Sequence, residues 1–394
     1  MTGPAERPPV LALGSGITLL GVLRILSRQD ENVIALPDTD RVTKRSRWYR
    51  PAPPPFLGLN AETLPGALES LPPGTVLIPC SDLWARTVAA LPDAVRARYP
   101  ASIAPLEALD ILVDKGRFGA TLDRLQLPHP TTRPMTSVGD LDEVADATLQ
   151  SSFLKPVHSQ QFFARFGVKA FRISSRADAR EKLSKCVGAG FEMTLQEYIP
   201  GPPTNHHFID GFVDRAGVIR ALFARQRLRM SPPDFGNSTL MVSVPLEQTG
   251  NAVETLRTLF ADIRYQGIFS AEFKRDSRDG TFNLIEVNAR PWWYVEFAAR
   301  CGVDVCRLAL QDARQQPVDT ISTYAVGRRC VFPYYDLQAV RAERAAGHVG
   351  VVQWTRSWLG AYQPVFRWSD PMPALGEVAR LIRARIGRSR RQLK

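Results

Sequence analysis

The sequence predicts an α/β protein, and three observations support this fold class. Residues 9–36 follow the order strand, glycine turn, helix and strand, which is the order of a βαβ unit. Residues 267–290 alternate apolar and polar side chains with period two in two arms around a turn, as an antiparallel hairpin does. The length of 394 residues is enough for two or three compact units with substantial cores.

Composition and cysteine usage indicate which kind of protein this is: membrane, secreted or cytoplasmic. The apolar content is 44%, and the sequence contains no apolar run of about twenty residues that would span a membrane. We also expect no secretory signal, because Gly14 and Gly16 interrupt the first apolar stretch. The five cysteines are scattered without a C-x-x-C pair, which predicts reduced thiols in a cytoplasmic protein rather than disulfides or a zinc site.

The positive charge is unevenly distributed. The net charge is +11, and residues 380–394 hold seven Arg or Lys and no acid. A basic balance suits anionic ligands such as nucleotides, nucleic acid or acidic lipid headgroups, and by itself it selects none of them.

The first part of the chain contains two candidate ligand-binding edges. The glycines at 14, 16 and 21 do not have the dinucleotide-binding spacing, and no acid follows where a ribose would need one. We therefore interpret this turn as a sheet-edge loop that borders a ligand cleft rather than as an NAD site. Residues 75–79 predict a second buried strand, and Asp82 follows its carboxyl end, where ligands bind in open α/β sheets.

The middle of the chain carries basic side chains at predicted strand ends. Helices are predicted at residues 104–110 and 115–125, followed by a strand at 153–156 that contains Lys155. A polar loop at 158–161 and a returning strand from residue 167 are expected next. A lysine at a strand end beside a flexible loop is suited to bind phosphate.

Two basic segments leave alternatives open. Arg225, Arg227 and Arg229 alternate along a predicted strand and so point the same way. Such a row is usually a solvated face, but this one leads into a loop at 232–238 that could close on an anion. The basic loop at 43–49 is either solvated or faces a substrate.

The hairpin is the strongest candidate site. If its arms pair around Asp279, Glu272 lies opposite Glu286. Two carboxylates in that position repel each other unless a cation lies between them, and oxygen ligands without Cys or His suit magnesium. A solvated hairpin face is the alternative, but Asn288 and Arg290 continue the same row and favour the metal. The predicted apolar face is Phe269, Ala271, Phe273, Ile285 and Val287, and the predicted polar face is Ser270, Glu272, Lys274, Leu284, Glu286, Asn288 and Arg290.

These segments, in this order, resemble the ATP-grasp superfamily, and within it the carboxylate–amine ligases such as D-aspartate ligase and the carbamoyl-phosphate-synthase-like group. The resemblance covers about residues 10–335. It rests on five segments and on Ile78-Pro-Cys-Ser-Asp82. The five are Asp114-Lys115, Lys155-Pro156, Gln196-Glu197-Tyr-Ile-Pro-Gly201, Glu272-Phe-Lys274 and Glu286-Val-Asn288-Ala-Arg290.

The resemblance implies an ATP site. Lys115 and Lys155 would contact the phosphates. The usual glycine-rich loop is missing after Lys155, so further phosphate contacts would come from side chains such as Ser159 and Gln160, or from the backbone. The adenine and ribose would be bound by Gln196, Glu197, the backbone at Tyr198 and Ile199, and His206.

The resemblance also implies a metal and catalytic set. Arg290 would bind the reacting carboxylate or acyl phosphate, and the arginine row, with Arg225 and Arg227 as candidates, would supply a cation over the γ-phosphate. Trp292 and Trp293 would be either a bulky wall at the acceptor side or two core tryptophans. The ligands of two magnesium ions would be Glu272, Glu286 and Asn288.

The expected architecture has three parts: a βαβ pre-grasp domain at 1–112, an ATP-grasp domain at 113–335 with a small lid at about 145–200, and a C-terminal extension at 336–394. ATP would lie between the lid and a larger antiparallel sheet. The expected activity is that of a ligase which activates a carboxylate as an acyl phosphate and joins it to an amine. Alternatives are a biotin- or carbamoyl-type carboxylase on the same scaffold, and a basic membrane- or nucleic-acid-binding protein with a degenerate nucleotide site.

The expected partners are a small-molecule carboxylate and a small-molecule amine. We expect no binding of nucleic acid, and the sequence leaves open whether the protein forms a homodimer. Residues 374–394 predict a basic amphipathic helix that either lies on an anionic membrane or docks on the catalytic domain. The expected location is cytoplasmic, with peripheral membrane contact through this tail as the open alternative.

Overall fold

A computed structural model describes residues 7–157, 159–232, 235–345 and 350–380. The first part contains a parallel three-stranded sheet with strand order β2-β1-β3. Its strands are β1 (Val10–Leu13), β2 (Val33–Ala35) and β3 (Val76–Pro79). The helices that accompany it are α1 (Gly16–Leu26), α2 (Leu64–Leu68), α3 (Asp82–Ala89), α4 (Asp93–Arg98), α5 (Leu106–Val113) and α6 (Lys115–Arg124).

The glycine turn after β1 is closed by the protein itself. Gly14 has φ +150°, and a Cβ there would lie 2.9 Å from the Cβ of Cys80, so the close approach of β1 and β3 requires glycine. The carboxylate of Asp40 accepts a hydrogen bond of 2.6 Å from the Gly16 N–H at the start of α1. The turn does not line the cleft described below, so its predicted position at a ligand cleft is not supported.

The second sheet has four antiparallel strands in the order β4-β7-β5-β6 and occupies residues 132–197, so it begins before the range predicted for the lid. Its core includes Leu154, Leu183 and Leu195. Its strands are β4 (Thr132–Met135), β5 (Ser152–Pro156), β6 (Phe171–Arg172) and β7 (Met193–Glu197). Its helices are α7 (Asp146–Gln150), α8 (Ser159–Phe166) and α9 (Arg176–Gly188).

The polar loop predicted after Lys155 is instead helix α8. Phe162 is completely buried, and its ring centroid lies 4.7 Å from that of Phe166 and 5.3 Å from that of Phe191. Phe162 and Phe166 are four residues apart and therefore lie on one helical face. The burial of these rings against the sheet favours a helix where the polar residues before them suggested a loop.

The third sheet has six strands in the order β12-β11-β8-β9-β10-β13, paired antiparallel. Its strands are β8 (His206–Val213), β9 (Ile219–Ser231), β10 (Asn237–Ser243), β11 (Gly267–Arg275), β12 (Phe282–Asn288) and β13 (Arg329–Val331). The helices between them are α10 (Ala252–Asp262), α11 (Val295–Arg300) and α12 (Val305–Ala313).

The pairing of the predicted hairpin is confirmed, but its faces are partly wrong. Glu272 on β11 lies opposite Glu286 on β12, whereas the next pair is Phe273 with Leu284. This register shift is a β-bulge, which puts one extra residue into β12 and breaks the alternation. Leu284 is therefore completely buried in the core and Ile285 lines the cleft, the reverse of their predicted sides.

The C-terminal segment packs back onto the first part of the chain. It forms α13 (Pro333–Ala345), α14 (Val351–Trp358) and a further helix at 372–380. The buried Arg24 of α1 donates to the Asp370 carboxylate at 3.0 Å and to the Pro364 carbonyl at 2.7 Å. The backbone N–H of Arg47 also donates to Asp370, at 2.9 Å, so the basic loop at 43–49 contacts this segment and is not among the residues that line the cleft.

The predicted tail is only partly described. Leu375 and Val378 are exposed on the helix at 372–380, while residues 381–394 lie outside the described residues. Within the described part of the chain, no helix is long and apolar enough to cross a membrane. The domain division predicted from the sequence, including the extension at 336–394, stays a prediction.

Candidate active site

A cleft of about 430 Å³ lies between the four-stranded and six-stranded sheets. Its lining includes six basic residues against three glutamates, so the described wall carries an excess of positive charge that suits a polyanion. The basic residues are Lys155, Lys169, Arg225, Arg227, Lys274 and Arg290, and the glutamates are Glu197, Glu272 and Glu286.

The residues predicted to bind adenine line one end of this cleft at the end of β7. Gln196 donates from its amide to the Thr132 hydroxyl at 3.0 Å, and Glu197 accepts from Arg278 at 2.7 Å. The Tyr198 N–H donates to the Ser151 carbonyl at 2.8 Å, so this predicted backbone contact is used within the protein. Ile199 lines the same end of the cleft.

The predicted phosphate lysines lie near each other. Lys155 lines both the main cleft and an adjoining cavity of about 160 Å³, and Lys115 lines the adjoining cavity. Lys115 donates to the carbonyls of Pro156 and Val157, the latter at 3.1 Å. Burial and the charge of Lys155 lower the pKa of Lys115 to about 7, against the attraction of Glu286. The side chain of Ser159, the third predicted phosphate contact, lies outside the described part of the chain.

Glu272 is held from two sides. The ring of His206 donates from Nδ1 at 2.7 Å, and Arg227 donates from Nη2 at 3.0 Å. Burial raises the pKa of the Glu272 carboxyl, but Arg227 and the hydrogen bond from His206 outweigh that effect and hold the pKa well below its usual range. Burial and Arg227 lower the pKa of His206 to about 4, so its imidazole is neutral near pH 7. His206, predicted to contact the ribose, thus orients a carboxylate.

The predicted metal ligands lie on the paired strands β11 and β12 and line the cleft together. Glu286 is exposed opposite Glu272, and the Asn288 amide donates to Glu286 at 3.3 Å. No group of three His, Cys, Asp or Glu forms a metal site among the described residues; the donors here are two carboxylates and one amide oxygen. Carboxylate and amide oxygens without nitrogen or sulfur ligands are the donors magnesium prefers. The residues therefore fit that ion.

The arginine row is buried and ion-paired rather than solvated. Each guanidinium meets a different carboxylate, because β8, β11 and α13 each present one to the same face of β9. Arg225 and Arg227 line the cleft, while Arg229 contacts α13 behind it. The three pairs are Arg225 with Asp210 at 2.6 Å, Arg227 with Glu272 at 3.0 Å and Arg229 with Asp336 at 2.6 Å.

Arg290 lines the cleft just after β12 and is oriented by Asp82. Its Nε and Nη2 donate to the two carboxylate oxygens at 2.9 and 3.1 Å, and Nη2 also donates to Oδ1 of the Asn288 side-chain amide at 3.0 Å. Trp292 and Trp293 line the cleft beyond it. Trp292 is only 4% exposed and also belongs to the core, whereas Trp293 is 38% exposed.

Sequence reasoning missed two parts of this site. It placed Asp82 at the ligand-binding end of a strand but did not pair it with Arg290, and it noted Lys169 only as part of a returning strand. The antiparallel pairing of β5 with β6 brings the segment that carries Lys169 next to the end of β5 that carries Lys155. A lysine just before the partner strand was therefore a detectable signal.

Known proteins resemble this chain in sequence and in structure. The D-aspartate ligase of Enterococcus faecium (strain Aus0004) is 23% identical over 246 residues, which are 60% of this chain and 58% of that protein. The match thus spans less than two thirds of that relative. No protein-family model matches the chain.

Two solved structures extend the likeness over most of the chain. L-amino acid ligase from Bacillus licheniformis has a TM-score of 0.57 and 17% identity, covering 80% of this chain and 76% of that chain. Carboxyaminoimidazole ribonucleotide synthase from Aspergillus clavatus, solved with ATP, has a TM-score of 0.62 and 13% identity, covering 86% of each chain.

This chain has the ATP-grasp fold. The predicted α/β fold class and the predicted resemblance are therefore confirmed. The predicted site residues meet in the cleft between the four-stranded and six-stranded sheets, apart from Lys115, which lines the adjoining cavity, and Ser159, whose side chain lies outside the described part of the chain.

Proposed function

We propose that this protein is an ATP- and magnesium-dependent ligase that activates a carboxylate as an acyl phosphate and joins it to an amine, releasing ADP and phosphate. The observation that carries the proposal is the composition of one cleft. A cationic wall and a facing pair of carboxylates lie together between two sheets, as a site for transfer of a phosphoryl group requires. The sequence relative, a D-aspartate ligase, supports the same reaction class.

The substrate carboxylate would be bound by Arg290. Asp82 holds this guanidinium in a two-point contact, so the guanidinium is oriented before substrate arrives. Its Nη1 donates one hydrogen bond to the Pro291 carbonyl and keeps one N–H for the substrate. Lys155 and Arg227 would balance the charge of the phosphates from opposite sheets. Glu272, Glu286 and Asn288 would hold the magnesium, which supplies charge neutralisation at the phosphates.

The reaction would proceed in two displacements. A carboxylate oxygen bonds to the γ-phosphorus while the bond to the ADP oxygen breaks. The amine nitrogen then bonds to the acyl carbon, phosphate leaves with the acyl oxygen, and the amine proton passes to solvent. This route needs no covalent enzyme nucleophile, because the acyl phosphate is the activated species.

The reaction class can be tested by measuring ADP release over pairs of acids and amines, with single substrates as controls. A ligase requires both an acid and an amine for full turnover. Bicarbonate belongs among the acids, because turnover with bicarbonate alone would favour a carboxylase on the same scaffold. Absence of nucleotide turnover with every pair would favour a binding protein.

The acyl phosphate can be tested separately. With oxygen-18 in the substrate carboxylate, one labelled oxygen should appear in the released phosphate, since that oxygen bridges carbon and phosphorus. Unlabelled phosphate from an active enzyme would rule out this intermediate.

A further inference from the structure

Lys169 connects the two walls of the cleft. It lies between α8 and β6 on the four-stranded sheet, and its Nζ donates to the Oδ1 of Asn237 at 2.6 Å. Asn237 begins β10 on the six-stranded sheet. The hydrogen bond therefore spans the cleft from one sheet to the other, and both residues line it.

The hydrogen bond of Lys169 does not neutralise the positive charge of its amine. Its hydrogen-bond acceptor at Asn237 is a neutral amide oxygen. The nearby carboxylate of Glu272 is already shared by Arg227 and His206. Burial lowers the pKa of Lys169, while attraction by Glu272 and Glu286 opposes that shift, so the amine lies within the electrostatic field of the carboxylate pair.

The neighbouring backbone does not provide the phosphate loop that the resemblance implies. Helix α8 occupies residues 159–166, between β5 and β6, where a glycine-rich loop is expected. Beyond the first turn of a helix, the amide N–H groups are hydrogen-bonded to the helix itself and are not free to bind a ligand, so α8 can offer at most its first turn in place of the loop. A side chain on the same connection can take over that role.

We propose that Lys169 binds the terminal phosphate of the nucleotide, with Asn237 as a positioning residue that holds the amine across the cleft until the phosphate replaces it. The inference rests on the proposed function, since it concerns the same nucleotide. It assigns to one side chain the contact that the loop backbone would otherwise make. Lys155 on β5 and Lys169 just before β6 then hold the phosphates from the same sheet.

The test is calorimetry with magnesium and three probes: a non-hydrolysable ATP analogue, ADP and AMP. Lys169→Met should weaken the triphosphate by about 10- to 100-fold, as expected for loss of one charge-assisted hydrogen bond, and should weaken AMP less than about twofold. Lys169→Arg should retain most of the affinity. The matched control is Lys185→Met, which removes an exposed lysine of α9 on the same sheet and should change none of the three.

Asn237→Ala separates positioning from phosphate binding. If Asn237 only positions the amine, Asn237→Ala should weaken binding of the ATP analogue less than about fivefold. Adding Lys169→Arg to Asn237→Ala should not restore the lost affinity. Equal loss for all three probes in Lys169→Met would overturn the proposal, because it would indicate a general role in holding the sheets together. Melting temperatures of each variant establish that it is folded.

Two failures are distinguishable. If the unmodified protein binds the analogue and Lys169→Met binds it equally well, only the assignment of Lys169 is refuted. If the unmodified protein binds none of the three nucleotides, the proposed function fails and the role of Lys169 fails with it.

Discussion

Replacing Glu286 by Gln tests the proposed metal site, because the substitution should reduce turnover without destabilising the fold. Glu286 is exposed, and its hydrogen bond is a 3.3 Å contact from the Asn288 amide that a glutamine oxygen can also accept. The substitution should therefore change the free energy of unfolding by less than about 0.5 kcal/mol, as surface changes usually do. The melting temperature should stay within about 2 °C of the unmodified protein.

The effect on turnover should be much larger. Glutamine keeps the shape of Glu286 but removes one of the two facing charges at which the magnesium would bind. Loss of one such charge from a site that stabilises a transferring phosphoryl group should reduce kcat by about 100-fold or more. Binding of the ATP analogue should also lose much of its dependence on magnesium, which calorimetry at several magnesium concentrations measures.

Glu272→Gln is the matched comparison, because it changes the opposite residue of the same pair. Glu272 accepts hydrogen bonds from the buried Arg227 and from His206, so its loss of charge leaves Arg227 without its carboxylate. This variant should lose both turnover and about 1–3 kcal/mol of stability. Near-normal ADP production by Glu286→Gln would refute the metal assignment, and a large loss of stability in that variant would refute its separation from the fold.

Three further predictions concern other parts of the chain. Lys155→Ala should weaken ATP binding measured by calorimetry by about 10-fold or more, and an unchanged affinity would contradict its role. The pKa of Lys115 is lowered to about 7, and a bound phosphate would raise it, so the protein should take up close to one proton when ATP binds at pH 8. Calorimetry in buffers of different ionisation enthalpy measures this proton uptake, which should disappear in Lys115→Met. If the tail lies on an anionic membrane, the full-length protein should float with anionic vesicles at low salt more than a version ending before Arg380, whereas equal behaviour would exclude the tail as an anchor and favour its docking on the catalytic domain.

Local patterns predicted the elements that carry the site. Alternation of side chains is a property of consecutive residues, so β11, β12 and the pairing of Glu272 with Glu286 followed from the sequence. The shift at Ile285 did not, because a bulge depends on how the partner strand and the core fit together. The helix that carries Phe162 and Phe166 did not follow either, because the polar residues before them favoured a loop.

The environment of the three arginines on β9 could not be predicted from local sequence patterns. The period of two in the arginine row predicted that Arg225, Arg227 and Arg229 share a face, which β9 provides. Whether that face is solvated or buried depends on carboxylates far along the chain: Asp210, Glu272 and Asp336 lie 15, 45 and 107 residues away from their partners.

The sequence by itself determined the fold class, the ATP-grasp resemblance and the residue types of the candidate metal set. Each of these depends on residue identity and on order along the chain. Only the tertiary structure decided which charges neutralise one another, that Asp82 orients Arg290, and that Lys169 reaches Asn237 across 68 residues. The physical reason is that electrostatic interactions act through space over a few ångströms, and folding brings together side chains whose separation along the chain carries no information about that distance.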